Sequence, residues 1–287
     1  MQPIFFKDAR YFQIIFQVTF LSYGLLYLHW QANWWLYASF IITSIGTQFI
    51  CEVVCKKINA PLFSKIWWQY FSNTLPSVYI STLGLCLLLK TNYLSVAIFA
   101  ASISIASKYI LRVNKKHIFN PSAIGIVAAV FLTDKAWISP GQWGSGMVIL
   151  FACICLGSIV VTKVQKLDVS VAFLGIFATL LFIRQNIFLG WPIDFFVQSI
   201  STGSILLFSF FMITDPKTTP NHFMARVVWS ILIAAISFYF TVFKFINGAP
   251  IFVLVCMQPL VPLLNYLCKA NSFKWQYQQV PFSLGLK

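Results

Sequence analysis

Ten stretches of this chain are nearly free of charge, and polar segments separate them. They run about 11–28, 34–54, 75–89, 93–110, 120–132, 145–162, 168–184, 199–213, 224–243 and 250–268. Apolar runs of this length and number predict membrane-spanning helices rather than the core helices of a soluble domain. The third and eighth are short, at about 15 residues, or about 22 Å of helix against a hydrocarbon core of about 30 Å. Each follows an aromatic, half-polar stretch suited to enter a membrane without crossing it. These are Lys65–Thr74 and Gly190–Gln198.

The two short spans read alike. Ser77-Val-Tyr-Ile-Ser-Thr-Leu-Gly84 corresponds to Gln198-Ser-Ile-Ser-Thr-Gly203. Two spans further on, Lys116-His-Ile-Phe-Asn-Pro121 corresponds to Lys244-Phe-Ile-Asn-Gly-Ala-Pro250. The pattern predicts an all-α polytopic membrane protein, a single transmembrane domain over residues 1–287. It holds about ten transmembrane helices as two five-helix repeats, about 11–132 and 145–268. Five is odd, so the repeats are inverted, with helices 3 and 8 short or broken. Interrupted helices at matching places in inverted halves point to a site near the membrane midplane. A broken helix frees backbone polar groups, which survive in lipid only where they line a cavity or a ligand.

Composition agrees: 59% of residues are apolar, 18% aromatic and only 9% charged. Such a balance excludes an ordinary cytosolic enzyme, a disordered chain and a nucleic-acid-binding module. The partner it implies is the lipid bilayer. The formal charge of +14 reads as topology. With the N-terminus inside, sixteen of the 20 basic residues fall on one side and four on the other, Lys90, Lys135, Arg184 and Lys244. The positive-inside rule then puts both termini in the cytoplasm. The seven cysteines show no loop pairing, so no disulfide framework is expected. The first apolar run has no small-residue cleavage site and reads as a span rather than a signal peptide.

The topology puts two polar clusters at the cytoplasmic face. One is Lys108 to Pro121, holding Lys116, His117 and Asn120. The other is Phe210-Phe-Met-Ile-Thr-Asp-Pro216, holding Thr214 and Asp215. Pro216 ends the helix, so Asp215 is either a solvated helix stop or a working carboxylate at the membrane edge. Asn120-Pro121 opens a span, and an N-cap Asn followed by Pro at the first helical position is a structural device in its own right. His117 is a candidate ligand or proton carrier, although a lone His on a basic loop usually is neither. Glu52, with Lys56 four residues on, reads first as a surface pair in helix register. Cys153 and Cys155 point about 200° apart on a helix and cannot chelate one metal together. No metal site, phosphate-cradling loop, carboxylate pair or nucleophile–His–acid pattern is evident.

In this order, Lys108–Arg112 with Lys116–Ala123, Phe210–Pro216 and Ile246–Pro250 through Asn265 resemble the RnfD/NqrB family. Its members are membrane proteins of the Rnf electron-transport complex and of the sodium-pumping NADH:quinone oxidoreductase. The resemblance covers about residues 70–268. It implies a ten-helix inverted repeat similar in architecture to urea and ammonium channels. It also implies electron transfer through flavin, other membrane subunits as partners, and a bacterial inner membrane. Those relatives carry covalent flavin mononucleotide on the threonine of an S-G-A-T segment in the loop after span 5. Here that loop, Thr133–Gly144, has no such segment, and Ser201-Thr-Gly-Ser204 lies at the start of span 8 instead. No covalent flavin mononucleotide is expected. Residues 137–144 and the compact length are similar to short relatives encoded with enediyne biosynthesis genes, the UnbU type. In the NqrB branch a noncovalent riboflavin lies near the Phe-Asn-Pro turn. Asn120 matches one of its asparagines, and His117 stands where the other would be. The resemblance therefore admits a noncovalent flavin, riboflavin or flavin mononucleotide, held by Lys116, His117, Asn120, Pro121, Thr214 and Asp215.

Three functions are compatible with these residues. The first is a redox-linked membrane subunit acting with partners. The second is a small-solute or ion transporter using the space between the two short helices. The third is a membrane scaffold for a biosynthetic or export partner. Nucleic acid is not among the expected partners.

Overall fold

A computed structural model describes residues 8–30, 33–55, 64–113, 116–139 and 147–271. Lys56, Lys115, residues 140–144, Lys274 and the side chain of Cys153 lie outside what it describes. The protein is an all-α membrane protein with two small antiparallel ladders. Its helices are α1 (Ala9–Leu26), α2 (Trp34–Val54), α3 (Lys65–Leu88), α4 (Leu94–Ile110), α5 (Pro121–Thr133), α6 (Met147–Val164) and α7 (Leu167–Phe182). They continue as α8 (Ile193–Ile200), α9 (Gly203–Leu207), α10 (Phe223–Phe243), α11 (Ala249–Met257) and α12 (Leu260–Leu267). Wider π-helical turns, Ile183–Phe188 and Phe208–Met212, extend α7 and α9.

Helix occupies each of the ten apolar stretches. Among the described residues, four helices are long and apolar enough to cross a membrane alone, or six if each bent pair is one span. Part of the shortfall has a physical cause: α4 has 17 residues and α5 has 13. The 13 residues of α5 make about 20 Å at 1.5 Å per residue, short of a bilayer core of about 30 Å.

The expectation for span 3 needs correcting. The half-polar stretch Lys65–Thr74 does not enter as a separate segment. It is the first half of one continuous 24-residue helix that carries Pro76 in its interior. Its aromatics are what make it helix. Trp67 and Phe71 stack at 5.2 Å, and Phe49 of α2 meets Trp67 at 5.4 Å, so this face is buried. The carbonyls near Pro76 take donors from neighbouring helices. Arg10 Nη1 donates to Asn73 O at 3.1 Å and Lys108 Nζ to Ser77 O at 2.9 Å. Such outside donors are what let a proline persist inside a membrane helix.

Span 8 is broken, with α8 and the α9 segment meeting at 48°. A second break, unsignalled by the apolar pattern, falls in span 10. There α11 and α12 meet at 50° around Gln258 and Pro259.

Packing partners recur in the two halves. α2 packs on α4 and α3, and α1 on α3. α7 packs on α10, and α6 on α9. α4 lies against α5 as α10 lies against α11, while α1–α6 and α5–α11 join the halves. Strand β1 (Leu89–Thr91) pairs with β4 (Ala136–Ile138), and β2 (Arg112–Val113) with β3 (Lys116–His117). Since α4 runs between β1 and β2, the two ladders sit at its opposite ends. α4 and α5 approach closely through small residues. A Cβ added at Gly125 would lie 2.7 Å from the Ala100 carbonyl oxygen, nearer than packing allows.

Candidate functional site

The β2–β3 hairpin aligns Arg112 with His117 and Val113 with Lys116. The Ile118 N–H donates to Leu111 O at 3.0 Å and closes the loop. This delivers Asn120 to the start of α5, where its Oδ1 accepts from Ala123 N at 3.3 Å and from Ser122 Oγ at 2.8 Å. Pro121 takes the first helical position, where a missing N–H is harmless. Asn120 has further work. Its Nδ2 donates to Met212 O at 3.1 Å, and its main-chain N–H donates to Gln258 Oε1 at 3.0 Å. One residue thus joins the N-terminus of α5, the π-turn after α9 and the break before α12.

That π-turn ends at Met212 and gives way to Thr214, Asp215 and Pro216. Thr214 Oγ1 donates to Phe210 O at 2.7 Å. Asp215 Oδ1 accepts from Lys217 N at 3.0 Å, and Asp215 Oδ2 lies 3.6 Å from His117 Nε2. The last separation is longer than a hydrogen bond, and His117 Nε2 has no hydrogen-bond partner. His117, Asn120, Pro121, Thr214 and Asp215 all line one cavity of about 250 Å³. Lys116 lines a neighbouring one of about 400 Å³, which shares His117. The two polar loops therefore converge, and of the six candidates Lys116 alone stands outside the first cavity.

Sequence reasoning undervalued Glu52. The side chain is 2% exposed and faces inward. Its Oε1 accepts from Tyr109 Oη of α4 at 2.5 Å and from Gln48 Nε2 at 2.9 Å. Its Oε2 has no hydrogen-bond partner, nor have Gln48 Oε1 and Gln17 Oε1, and all three residues line the 250 Å³ cavity. Three bare buried acceptors on one wall are an exception to the rule that buried polar atoms are paired. They call for a ligand or water that donates. The available signal was that Glu52 is a carboxylate inside a span. A third cavity, of about 280 Å³, lies at the end of the molecule marked by β4. Ser199, Thr202, Asn247 and Gly248 line it.

A family description, the NQR2, RnfD, RnfE family, matches residues 67–274, which is most of the chain. The chain belongs to that family. A comparison with individually curated proteins finds no match. Membership fits a membrane subunit of a redox complex. The family segment begins inside α3, so Gln17, Gln48 and Glu52, on α1 and α2, precede it. The cavity is therefore walled partly by family residues and partly by residues outside the match.

Charge at the mouth of this family member's cavity is tuned by burial. His117 is 8% exposed. Burial lowers its pKa below the ordinary imidazole value; Asp215 opposes this, while Lys217 and Lys108 reinforce it. Burial works to raise Asp215, but His117 and the Lys217 N–H outweigh it and hold the carboxyl below the usual range. Burial also lowers Lys116, partly offset by Asp215. These neighbours and burial thus push the carboxyl toward its charged form and the imidazole toward its neutral form.

Proposed function

We propose that this protein is the membrane subunit of an electron-transfer complex, and that the cavity between the Phe119-Asn120-Pro121 and Thr214-Asp215-Pro216 turns takes a noncovalent flavin. The observation that carries this reading is the set of bare acceptors, Glu52 Oε2, Gln48 Oε1 and Gln17 Oε1, on the wall of a cavity that the family's own turns also line. A flavin brings the matching donors, its ring N–H and its ribityl hydroxyls. His117 and Asp215 line this cavity, as do Arg10, Lys108 and Arg112, which add positive charge. Flavin, when bound, supplies one- and two-electron chemistry. The chain's own part is to bind it, orient it and set the field around it. Positive side chains nearby favour the reduced, more anionic state.

Orientation belongs to the same reading. The basic loops face the cytoplasm of a bacterial inner membrane, and the two halves are inverted repeats. The recurrence of packing partners in the two halves supports the repeat. So does the position of the third cavity, beside the second half's Asn247-Gly248-Ala249-Pro250 turn, as the first lies beside Asn120-Pro121. Other membrane subunits act as partners, because one carrier needs a donor and an acceptor.

The deciding experiment is purification in mild detergent, alone and with co-expressed partner subunits. The absorption spectrum is recorded and the acid-extracted cofactor identified by mass. A flavin that extracts without proteolysis is expected. Absence of flavin from both the extract and the polypeptide, with partners present, overturns the reading. A flavin that stays on the polypeptide overturns its noncovalent part.

A further inference from the structure

The 400 Å³ cavity beside the candidate site has a lining unlike that of the first. Lys116, Lys217 and Lys269 reach it from β3, the loop before α10 and the end of α12, and no carboxylate lines it among the described residues. Asp215 lines the first cavity and not this one. The frame is built rather than accidental. Lys116 Nζ donates to Asn221 Oδ1 at 3.0 Å, and the Asn221 N–H donates to Asn265 Oδ1 at 2.8 Å. Three segments are thereby fixed around one space. Burial lowers the pKa of Lys116, so this ammonium has lost water that an anion would replace.

The rim identifies the anion. Tyr266, on the wall, is 77% exposed, and Leu263 and Leu267 beside it on α12 are exposed as well. A tyrosine with two leucines at a helix end is the side-chain set of the membrane–water boundary. A ligand here meets three ammonium groups at its head and an apolar helix face below it.

We propose that this cavity is a binding site for the phosphate headgroup of an anionic phospholipid, with an acyl chain lying along Leu263 and Leu267 of α12. The inference rests on the reading that this end of the molecule faces the cytoplasm, where anionic headgroups are the natural counter-charge. It does not depend on flavin in the first cavity. Such a lipid would brace the β2–β3 hairpin and the Thr214–Asn221 loop, the two walls of the candidate site.

The test is native mass spectrometry of the full-length, delipidated protein in neutral detergent, titrated with phosphatidylglycerol or phosphatidylcholine. Phosphatidylglycerol is expected to bind at least tenfold more tightly. Lys269→Gln should weaken it about fivefold and Lys217→Gln with Lys269→Gln about 25-fold, because a lysine near an anionic headgroup contributes about 1 kcal/mol. Lys269 is exposed after the last turn of α12, so its replacement leaves folding intact. Lys269→Arg should keep the binding. Equal affinity for the two lipids, or indifference to the double variant, overturns the site. Displacement of phosphatidylglycerol by millimolar inorganic phosphate overturns the lipid assignment in favour of soluble phosphates. Because binding in detergent is blind to orientation, failure here is distinguishable from failure of the topology.

Discussion

The main-chain N–H of Asn120 donates to the side-chain carbonyl of Gln258, 138 residues away, across 3.0 Å in a fully buried setting. The bond ties the start of α5 to the break between α11 and α12. With the Nδ2 bond to Met212 O it makes Asn120 a clasp between segments that no local sequence rule connects.

Asn120→Ala is expected to lower stability by about 1–3 kcal/mol, because it removes a helix cap and leaves a buried carbonyl unpaired. Gln258→Leu should cost a similar amount by orphaning the Asn120 N–H. The double variant should cost about the sum, because Asn120→Ala keeps the main-chain N–H from which Gln258 accepts. Thermal unfolding in one detergent, followed by tryptophan fluorescence, measures all three. A Gln258→Leu variant as stable as the wild type would show that the bond is not formed.

Glu52→Gln and Glu52→Leu separate binding from folding. Glutamine can still accept from Tyr109, so the fold should hold while flavin retention falls about tenfold on loss of the charged acceptor. Leucine strands Tyr109 Oη and Gln48 Nε2 in the interior and should cost about 1–3 kcal/mol. Flavin content per mole of monodisperse protein is the readout. Full retention in the glutamine variant would remove Glu52 from the proposed site.

Stability should fall on acidification through the window that His117 sets. Its folded pKa lies below the unfolded value of about 6.5. The unfolded chain therefore binds the proton first, and stability is complete above about 6.5 and lost as pH falls toward the folded pKa. Asp215 adds a second loss at lower pH, since its folded pKa is also depressed. His117→Gln should flatten the first phase and shrink the second, because His117 is among the groups that hold the Asp215 carboxyl down. Melting temperatures from pH 8 to pH 2 test this, and an identical profile for wild type and variant would contradict it.

Orientation can be read chemically. A maleimide that cannot cross membranes should label Cys55, which is exposed at the end of α2, from the cytoplasmic side only. Tyr93→Cys, at the opposite end of α4 from the basic hairpin, should label only from outside. The measurement uses right-side-out and inverted vesicles, with the remaining cysteines replaced. Reversed labelling would invert the topology.

Much of the fold is legible in the sequence because lipid imposes a coarse, one-dimensional rule. Apolar runs mark helices, and Asn120-Pro121 and Thr214-Asp215-Pro216 mark where two of them begin or end. The convergence of those turns was legible too, since both fall on the same side of the charge pattern. Glu52 was not. Its spacing to Lys56 is a local feature, whereas its partner Tyr109 lies 57 residues on, and only the rotation of α2 decides which it meets. The Lys65–Thr74 stretch misled because its aromatics look interfacial. Two of them, Trp67 and Phe71, are buried against Phe49, a neighbour supplied by packing, while Trp68 and Tyr70 stay exposed. The bend at Gln258 left no mark in hydropathy, because Met257, Gln258 and Pro259 interrupt the apolar run too briefly.

The Gly125 contact carries a mechanical implication. With the α5 backbone lodged against the Ala100 carbonyl, α4 and α5 cannot slide past each other without a clash. They form one stiff plank. Among the described residues, the two bends of the molecule, at residues 201–202 and 258–259, lie in the other half. Asn120, fixed to the plank and gripping Gln258, ties it to the second of those bends.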